Sequence, residues 1–115
     1  MISPNNVEES ILSAYLFFGT MDFHDQKNIF KLNTSYFNSP FKKRVAERIN
    51  ELIDKGSHSF QLLSTKIEDS IKGSNYELEF LNIMAQTPMD LKIAREYHDD
   101  FLREKYKEKI ILGVA

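Results

Sequence analysis

The chain has 115 residues, no cysteine and a formal net charge of −2, and 42% of its residues are hydrophobic. This length suits one domain with a real core, and the lack of cysteine excludes disulfides, cysteine-based zinc sites and thiol nucleophiles. The charge balance disfavours a surface built mainly to bind nucleic-acid phosphates. Residues 1–6 do not resemble a signal peptide and residues 14–18 are too few to cross a bilayer, so a soluble cytoplasmic protein is expected.

Hydrophobic periodicity predicts helices almost throughout the chain. Residues 6–18 are expected to form a central amphipathic helix, and residues 23–32 a short second helix. Ser39 and Pro40 predict the start of a third helix, which Gly56 closes as a left-handed residue. The expected buried stripe of this third helix consists of Phe41, Val45, Ile49, Leu52 and Ile53.

Two shorter helices are predicted before the last one. The first uses Leu63, Ile67 and Ile71 as its apolar face and stops at Gly73. Residues 76–85 alternate like a strand in their first half but also fit a helical period. The helix is preferred, because the rest of the sequence offers no partner strand.

Residues 86–115 form the most informative stretch of the chain. Asp90 is a good N-cap for a helix whose first apolar stripe runs through Ala94, Tyr97 and Phe101. The stripe then changes face, and the new face is formed by Leu102, Tyr106 and Ile110. Residues 110–115 are wholly apolar, so this helix is predicted to leave its own core and to contact something else.

The expected fold is therefore all-α. It is a compact bundle of about five short helices with a longer C-terminal helix. The whole chain, residues 1–115, is predicted to be one domain, with a head at residues 1–88 and a projecting helix at residues 89–112.

The search for chemistry predicts no catalytic, cofactor-binding or metal-binding residue. The four glycines are scattered at predicted helix ends rather than clustered in a phosphate-binding loop. His24-Asp25 and His98-Asp99-Asp100 contain metal-ligand types, but helix neighbours point to different faces, so a solvated face is the preferred interpretation. Glu8 and Glu9 fall in the first turn of a helix, where the helix dipole favours negative charge.

One cluster of basic residues near the start of the predicted third helix stands out, because a helix N-terminus disfavours cations. Nearby Glu47 and Glu51 would partly neutralise it, and its lysines are expected to face water. Contact with a phosphate or an acidic partner stays open as an alternative. The cluster consists of Lys42, Lys43, Arg44 and Arg48.

The order of these features resembles the N-terminal domain of the bacterial replicative DNA helicase, the DnaB family. The family opens with a Pro, an acidic pair and an apolar helix. This opening is matched by Pro4, Glu8, Glu9, Ile11, Leu12 and Leu16. A loop with Phe and Tyr then precedes a helix that ends in Leu and Gly. Its counterparts are Tyr36-Phe37, Leu52 and Gly56.

The resemblance continues to the last helix and covers most of the chain. The family's Asn or Ser, Thr, Pro turn is similar to Gln86-Thr87-Pro88, and its next helix carries a Tyr and an Arg-Glu similar to Tyr97, Arg103 and Glu104. The chain departs from the pattern at Phe41 and Val45, where the family has a His and an aromatic. It departs again at residues 58–60, where the family has Pro-hydrophobic-Asp. A divergent chromosomal, plasmid or phage member is therefore implied.

The resemblance implies a non-catalytic collar domain whose longer C-terminal helix starts a helical hairpin. In that family, pairs of such domains form a collar of dimers on a hexameric ring, and the collar influences ring assembly and the docking of primase. A helicase loader is a further candidate partner for this chain. ATP and Mg²⁺ are used by a separate C-terminal RecA-like domain with a Walker motif, which this sequence lacks. The chain would then be a fragment of a longer helicase, with no direct nucleic-acid site of its own.

Contacts between subunits are expected from the last helix, because aromatic and aliphatic side chains anchor interfaces. The expected interface residues are Tyr97, Phe101, Leu102, Tyr106, Ile110 and Ile111. For Tyr97 and Phe101, packing within the same chain is the alternative. The rival function is a stand-alone phage or plasmid adaptor that mimics the collar and binds the host helicase or primase. A small helical enzyme ranks last, because no convergent polar pocket is indicated.

Overall fold

The structure is a computed structural model that describes residues 6–18, 26–57 and 59–114, with only the backbone for residues 113 and 114. Its α-helices are α1 (Val7–Leu16), α2 (Pro40–Asp54), α3 (Phe60–Ser70), α4 (Tyr76–Met84), α5 (Leu91–Glu96) and α6 (Arg103–Val114). A π-helical segment, Tyr97–Leu102, joins α5 to α6. Single 3₁₀ turns lie at Gln26–Asn28 and Thr34–Tyr36. These three described stretches contain no strand, so the all-α prediction is confirmed.

Helix α1 lies at the centre of the head. It packs against α2, α3, α4 and α5, and every residue of α1 except Glu9 is buried. The fully buried side chains include Ile11, Leu12 and Tyr15, and the rings of Tyr15 and Phe60 make an edge-on contact at 5.4 Å. The prediction of a central first helix is confirmed. The helix ends at Leu16, with Phe17 as its C-cap, two residues before the predicted end at residue 18.

Helix α2 follows its sequence signals closely. The Ser39 hydroxyl accepts a hydrogen bond from the Lys42 N–H at 3.0 Å, and Pro40 occupies the first turn. At the other end Gly56 adopts a φ of 69°, and the Ser57 N–H donates to the Leu52 carbonyl at 2.9 Å. This is the Schellman ending, in which a left-handed glycine lets the chain satisfy the last carbonyls. The predicted stripe is buried at positions 41, 45 and 49 and partly buried at positions 52 and 53.

Helices α3 and α4 complete the head. Residues 76–84 are helical, which confirms the choice of helix over strand. The buried side chains of α4 are Phe80 and Ile83, and the exposed face of α4 carries Leu78 and Leu81. The three-residue spacing within each pair places its members on a common face of the helix.

The predicted second helix is wrong for the residues that the structure describes. Only Gln26–Asn28 forms a single 3₁₀ turn, and residues 29–33 are irregular; residues 23–25 lie outside the description. Side chains from other helices bind this backbone instead. The Tyr15 hydroxyl donates to the Phe30 carbonyl at 2.5 Å and accepts from the Phe30 N–H at 2.9 Å. The Asn50 amide makes the same two-way contact with the Leu32 backbone, at 2.8 Å in each direction.

Candidate protein interface

The last helix runs without interruption from Leu91 to Val114 through α5, the π segment and α6. It begins as predicted, because the Asp90 carboxylate accepts a hydrogen bond from the Lys92 N–H at 2.8 Å. Its first half packs against α1, while α6 contacts the Thr34–Tyr36 turn. The helix therefore starts inside the head and ends at its margin.

The π segment explains why the apolar stripe changes face in the sequence. The buried residues of this helix are Leu91, Ala94, His98 and Leu102. In an α-helix of about 3.6 residues per turn, a repeated four-residue spacing drifts around the axis. A π-helical turn bonds i to i+5 and holds more residues, so it offsets this drift. The π geometry therefore keeps His98 and Leu102 on the same buried face of the helix as Ala94.

His98 is a buried link between this helix and the irregular segment before α2. Its side chain is 6% exposed, its Nε2 accepts a hydrogen bond from the Asn33 N–H at 2.9 Å, and its Nδ1 lies 2.9 Å from Asp99 Oδ1. With Nε2 as the acceptor, the network assigns the ring proton to Nδ1, which donates to Asp99. The ring also contacts Phe30 and Tyr36, with centroids 5.2 and 5.1 Å away. The expected solvated face is therefore wrong at His98.

Asp99 makes a pH-dependent contribution to this link. Partial burial raises the pKa of its carboxyl, but hydrogen bonds and electrostatic attraction from His98 and Arg95 lower the pKa below its ordinary value. Because this pKa is lower in the folded state than in the unfolded state, the ionised carboxylate stabilises the fold above about pH 4. The stabilisation disappears as the pH falls through the folded-state pKa. We expect Asp99→Asn to be less stable than the unchanged chain in urea unfolding at neutral pH, with the difference shrinking as the pH falls below about 4. A difference that does not shrink in acid would contradict this account.

Beyond Leu102 the helix loses contact with the core. Tyr106 is half-buried, with its ring centroid 5.4 Å from that of Tyr36. No described side chain of α6 is buried. The apolar residues near its end are 46, 69 and 77% exposed at Ile110, Ile111 and Leu112, which we call the terminal patch.

The six predicted interface residues thus fall into separate environments. The predicted interface role of Leu102 is wrong, because this side chain is 1% exposed and lies in the core of its own chain, where no partner can reach it. Tyr97 and Phe101 are partly buried and pack against the same core, as the alternative interpretation had it. Tyr106 lies at the margin. Ile110 and Ile111 lie on an exposed surface and remain the predicted contact residues.

The predicted basic cluster does not form one exposed surface. The Lys42 side chain is only 14% exposed, and its Nζ lies 2.6 Å from a carboxylate oxygen of Glu9. The expectation that this lysine faces water is therefore wrong. Lys43, Arg44 and Arg48 are exposed, and Arg48 makes a loose 3.9 Å contact with Glu51.

The carboxylates at the start of α1 do more than complement the helix dipole. The Glu8 side chain is 8% exposed, and its two oxygens accept hydrogen bonds from the Asn38 backbone N–H at 2.6 Å and the Asn38 side-chain amide at 2.8 Å. Lys42 Nζ also lies 3.8 Å from Glu8. A buried carboxylate needs such partners. Sequence analysis missed this cluster, which joins α1 to the start of α2; the available signal was the amide of Asn38 just before the Ser39 cap.

Other kinds of site are not found in the described parts of the chain. Residues 6–18, 26–57 and 59–114 contain no group of three or more His, Asp or Glu side chains arranged to hold a metal ion. Among the helices of these same stretches, none has the length and apolar character required to cross a bilayer.

Comparison with protein families, curated proteins and solved structures gives no match for this chain. A function for this chain is therefore inferred from its fold and its exposed surfaces.

Proposed function

We propose that this chain is a non-catalytic assembly and partner-docking domain of a replicative DNA helicase of the DnaB type. The observation that carries the proposal is the terminal patch, which lies at the end of a helix whose first half is anchored in the head. In this role the domain pairs with a second copy in a collar and docks primase or a helicase loader. ATP hydrolysis and Mg²⁺ binding belong to another domain of the parent protein.

The terminal patch supports pairing because of its position and composition. Ile110, Ile111 and Leu112 are consecutive, so they cover much of the helix circumference rather than one stripe. Fully burying an exposed side chain of this kind is worth about 1.5–3 kcal/mol, and much of each of these three side chains is exposed. A helix from a second subunit would bury several of them at once, as in helix-on-helix interfaces.

The head supplies rigid support for such a contact. His98, Leu102 and Tyr106 attach the last helix to α1 and to the Thr34–Tyr36 turn, so the helix that carries the terminal patch is anchored through the turns that precede the patch. A binding surface on a rigid element loses little conformational entropy when it associates.

The size of the native polypeptide distinguishes the two leading functions. An antibody raised against residues 26–57 would detect the protein in its source cell, and immunoprecipitation would recover it for an ATPase assay. A product several times longer than 115 residues, with ATPase activity in the same chain, is the result expected for a helicase collar. A product of the present length without ATPase activity would overturn the helicase assignment and favour a stand-alone adaptor that binds the host helicase or primase.

A further inference from the structure

A groove between α2 and α3 is separate from the last helix. Its volume is about 160 Å³, and its apolar lining consists of Leu52, Leu62 and Leu63. Leu62 is 55% exposed although it lies beside two leucines that face the core. The groove is smaller than typical small-molecule pockets of about 300–1,000 Å³, but one aliphatic or aromatic side chain fits such a space.

Cations dominate the rim of this groove. Arg48, Lys55 and Lys66 line it, and Glu51 is the one carboxylate among its lining residues. The rim therefore carries a formal charge of +2, although the whole chain carries −2. The contact between Arg48 and Glu51 is 3.9 Å long and both side chains are more than half exposed, so it neutralises little of this charge.

We propose that this groove binds an acidic segment of a partner protein. One aliphatic or aromatic side chain of that segment packs against Leu52, Leu62 and Leu63, and flanking carboxylates pair with the cations of the rim. This inference rests on the proposed function, in which the domain docks a partner, and it adds the chemistry that the partner presents. A nucleic-acid strand is disfavoured, because the described residues of the lining include no aromatic side chain on which bases could stack.

Nuclear magnetic resonance of the full chain tests the site directly. The probe is an acetylated and amidated peptide, Asp-Glu-Leu-Phe-Glu-Asp, added to the ¹⁵N-labelled chain up to about 2 mM, a range that detects millimolar affinity. We expect saturable shifts at the amides of Lys55, Leu62, Leu63 and Lys66, and weaker shifts at higher salt. The control peptides are Lys-Lys-Leu-Phe-Lys-Lys, which reverses the charge, and Asp-Glu-Ser-Ser-Glu-Asp, which removes the apolar pair.

Variants then separate charge from packing. Lys55→Glu with Lys66→Glu should weaken peptide binding about tenfold or more, since it turns two attractions into repulsions. Lys72→Glu with Lys92→Glu makes the same change of charge on exposed positions that do not line the groove, and it should alter the affinity less than about twofold.

Two results would overturn the proposal. The first is an absence of saturable shifts at the groove in a chain with a native spectrum. The second is a hexathymidylate strand that shifts the same amides more strongly than the acidic peptide. Either result would leave self-association through the terminal patch unaffected, so a failure of the groove is distinguishable from a failure of the proposed function.

Discussion

Tyr15→Phe is expected to lower the free energy of unfolding by about 2–3 kcal/mol, which is a large part of the stability of a domain of this size. The hydroxyl of Tyr15 is both the donor to the Phe30 carbonyl and the acceptor for the Phe30 N–H. Its removal leaves two buried backbone groups without these partners. Burial raises the pKa of Tyr15 well above its ordinary value, so the hydroxyl keeps the proton that it donates.

The matched control for this prediction is Tyr76→Phe. Tyr76 is 44% exposed, and its ring stacks on Phe41 at 5.2 Å, a contact that the substitution retains. We expect this control to change stability by less than about 0.5 kcal/mol. In thermal unfolding followed by circular dichroism, Tyr15→Phe should lower Tm by about 10 °C. Equal stability of the two variants would show that the Phe30 backbone does not depend on this hydroxyl.

Ile110→Asp with Ile111→Asp is expected to weaken self-association strongly without unfolding the head. Both side chains are exposed in the isolated chain, so the substitutions disturb no core contact. In an association buried between subunits they would place two carboxylates in an apolar interface, where unpaired charges cost several kcal/mol. We expect the dissociation constant to rise at least about a hundredfold, measured by sedimentation velocity at several concentrations.

Leu78→Asp with Leu81→Asp is the matched control on the exposed face of α4. These side chains are 68 and 62% exposed, which is similar to the terminal patch, and the change of charge is identical. The control variant should associate like the unchanged chain, and both variants should keep its helicity by circular dichroism. If both double variants weakened association equally, added negative charge rather than the terminal patch would be the cause.

The parts of the fold that could be predicted from the sequence depend on local signals. The boundaries of α2 were predictable because Ser39, Pro40 and Gly56 each act on neighbouring backbone groups. The N-cap at Asp90 is another local signal. The exposure of the end of α6 was predictable as well. The preceding turns of the helix carry no comparable apolar run, so the run at its end does not continue a stripe that faces the core.

The parts that sequence analysis missed depend on residues far apart in the chain. His98 binds the Asn33 backbone across 65 positions, so its burial has no local signature. Lys42 has the helical position of a solvent-facing residue, but its partner Glu9 comes from α1. The irregular segment before α2 has helix-forming periodicity, yet Tyr15 and Asn50 bind its backbone in another conformation. Tertiary contacts outweighed local preference in each case.

The mass of the 115-residue chain in solution, measured by light scattering over a range of concentrations, tests the central claim most directly. The chain has a mass of 13.5 kDa. If the terminal patch is an association surface, the measured mass will rise toward at least twice that value as the concentration increases. A mass that stays at that of one chain at every concentration would contradict the account.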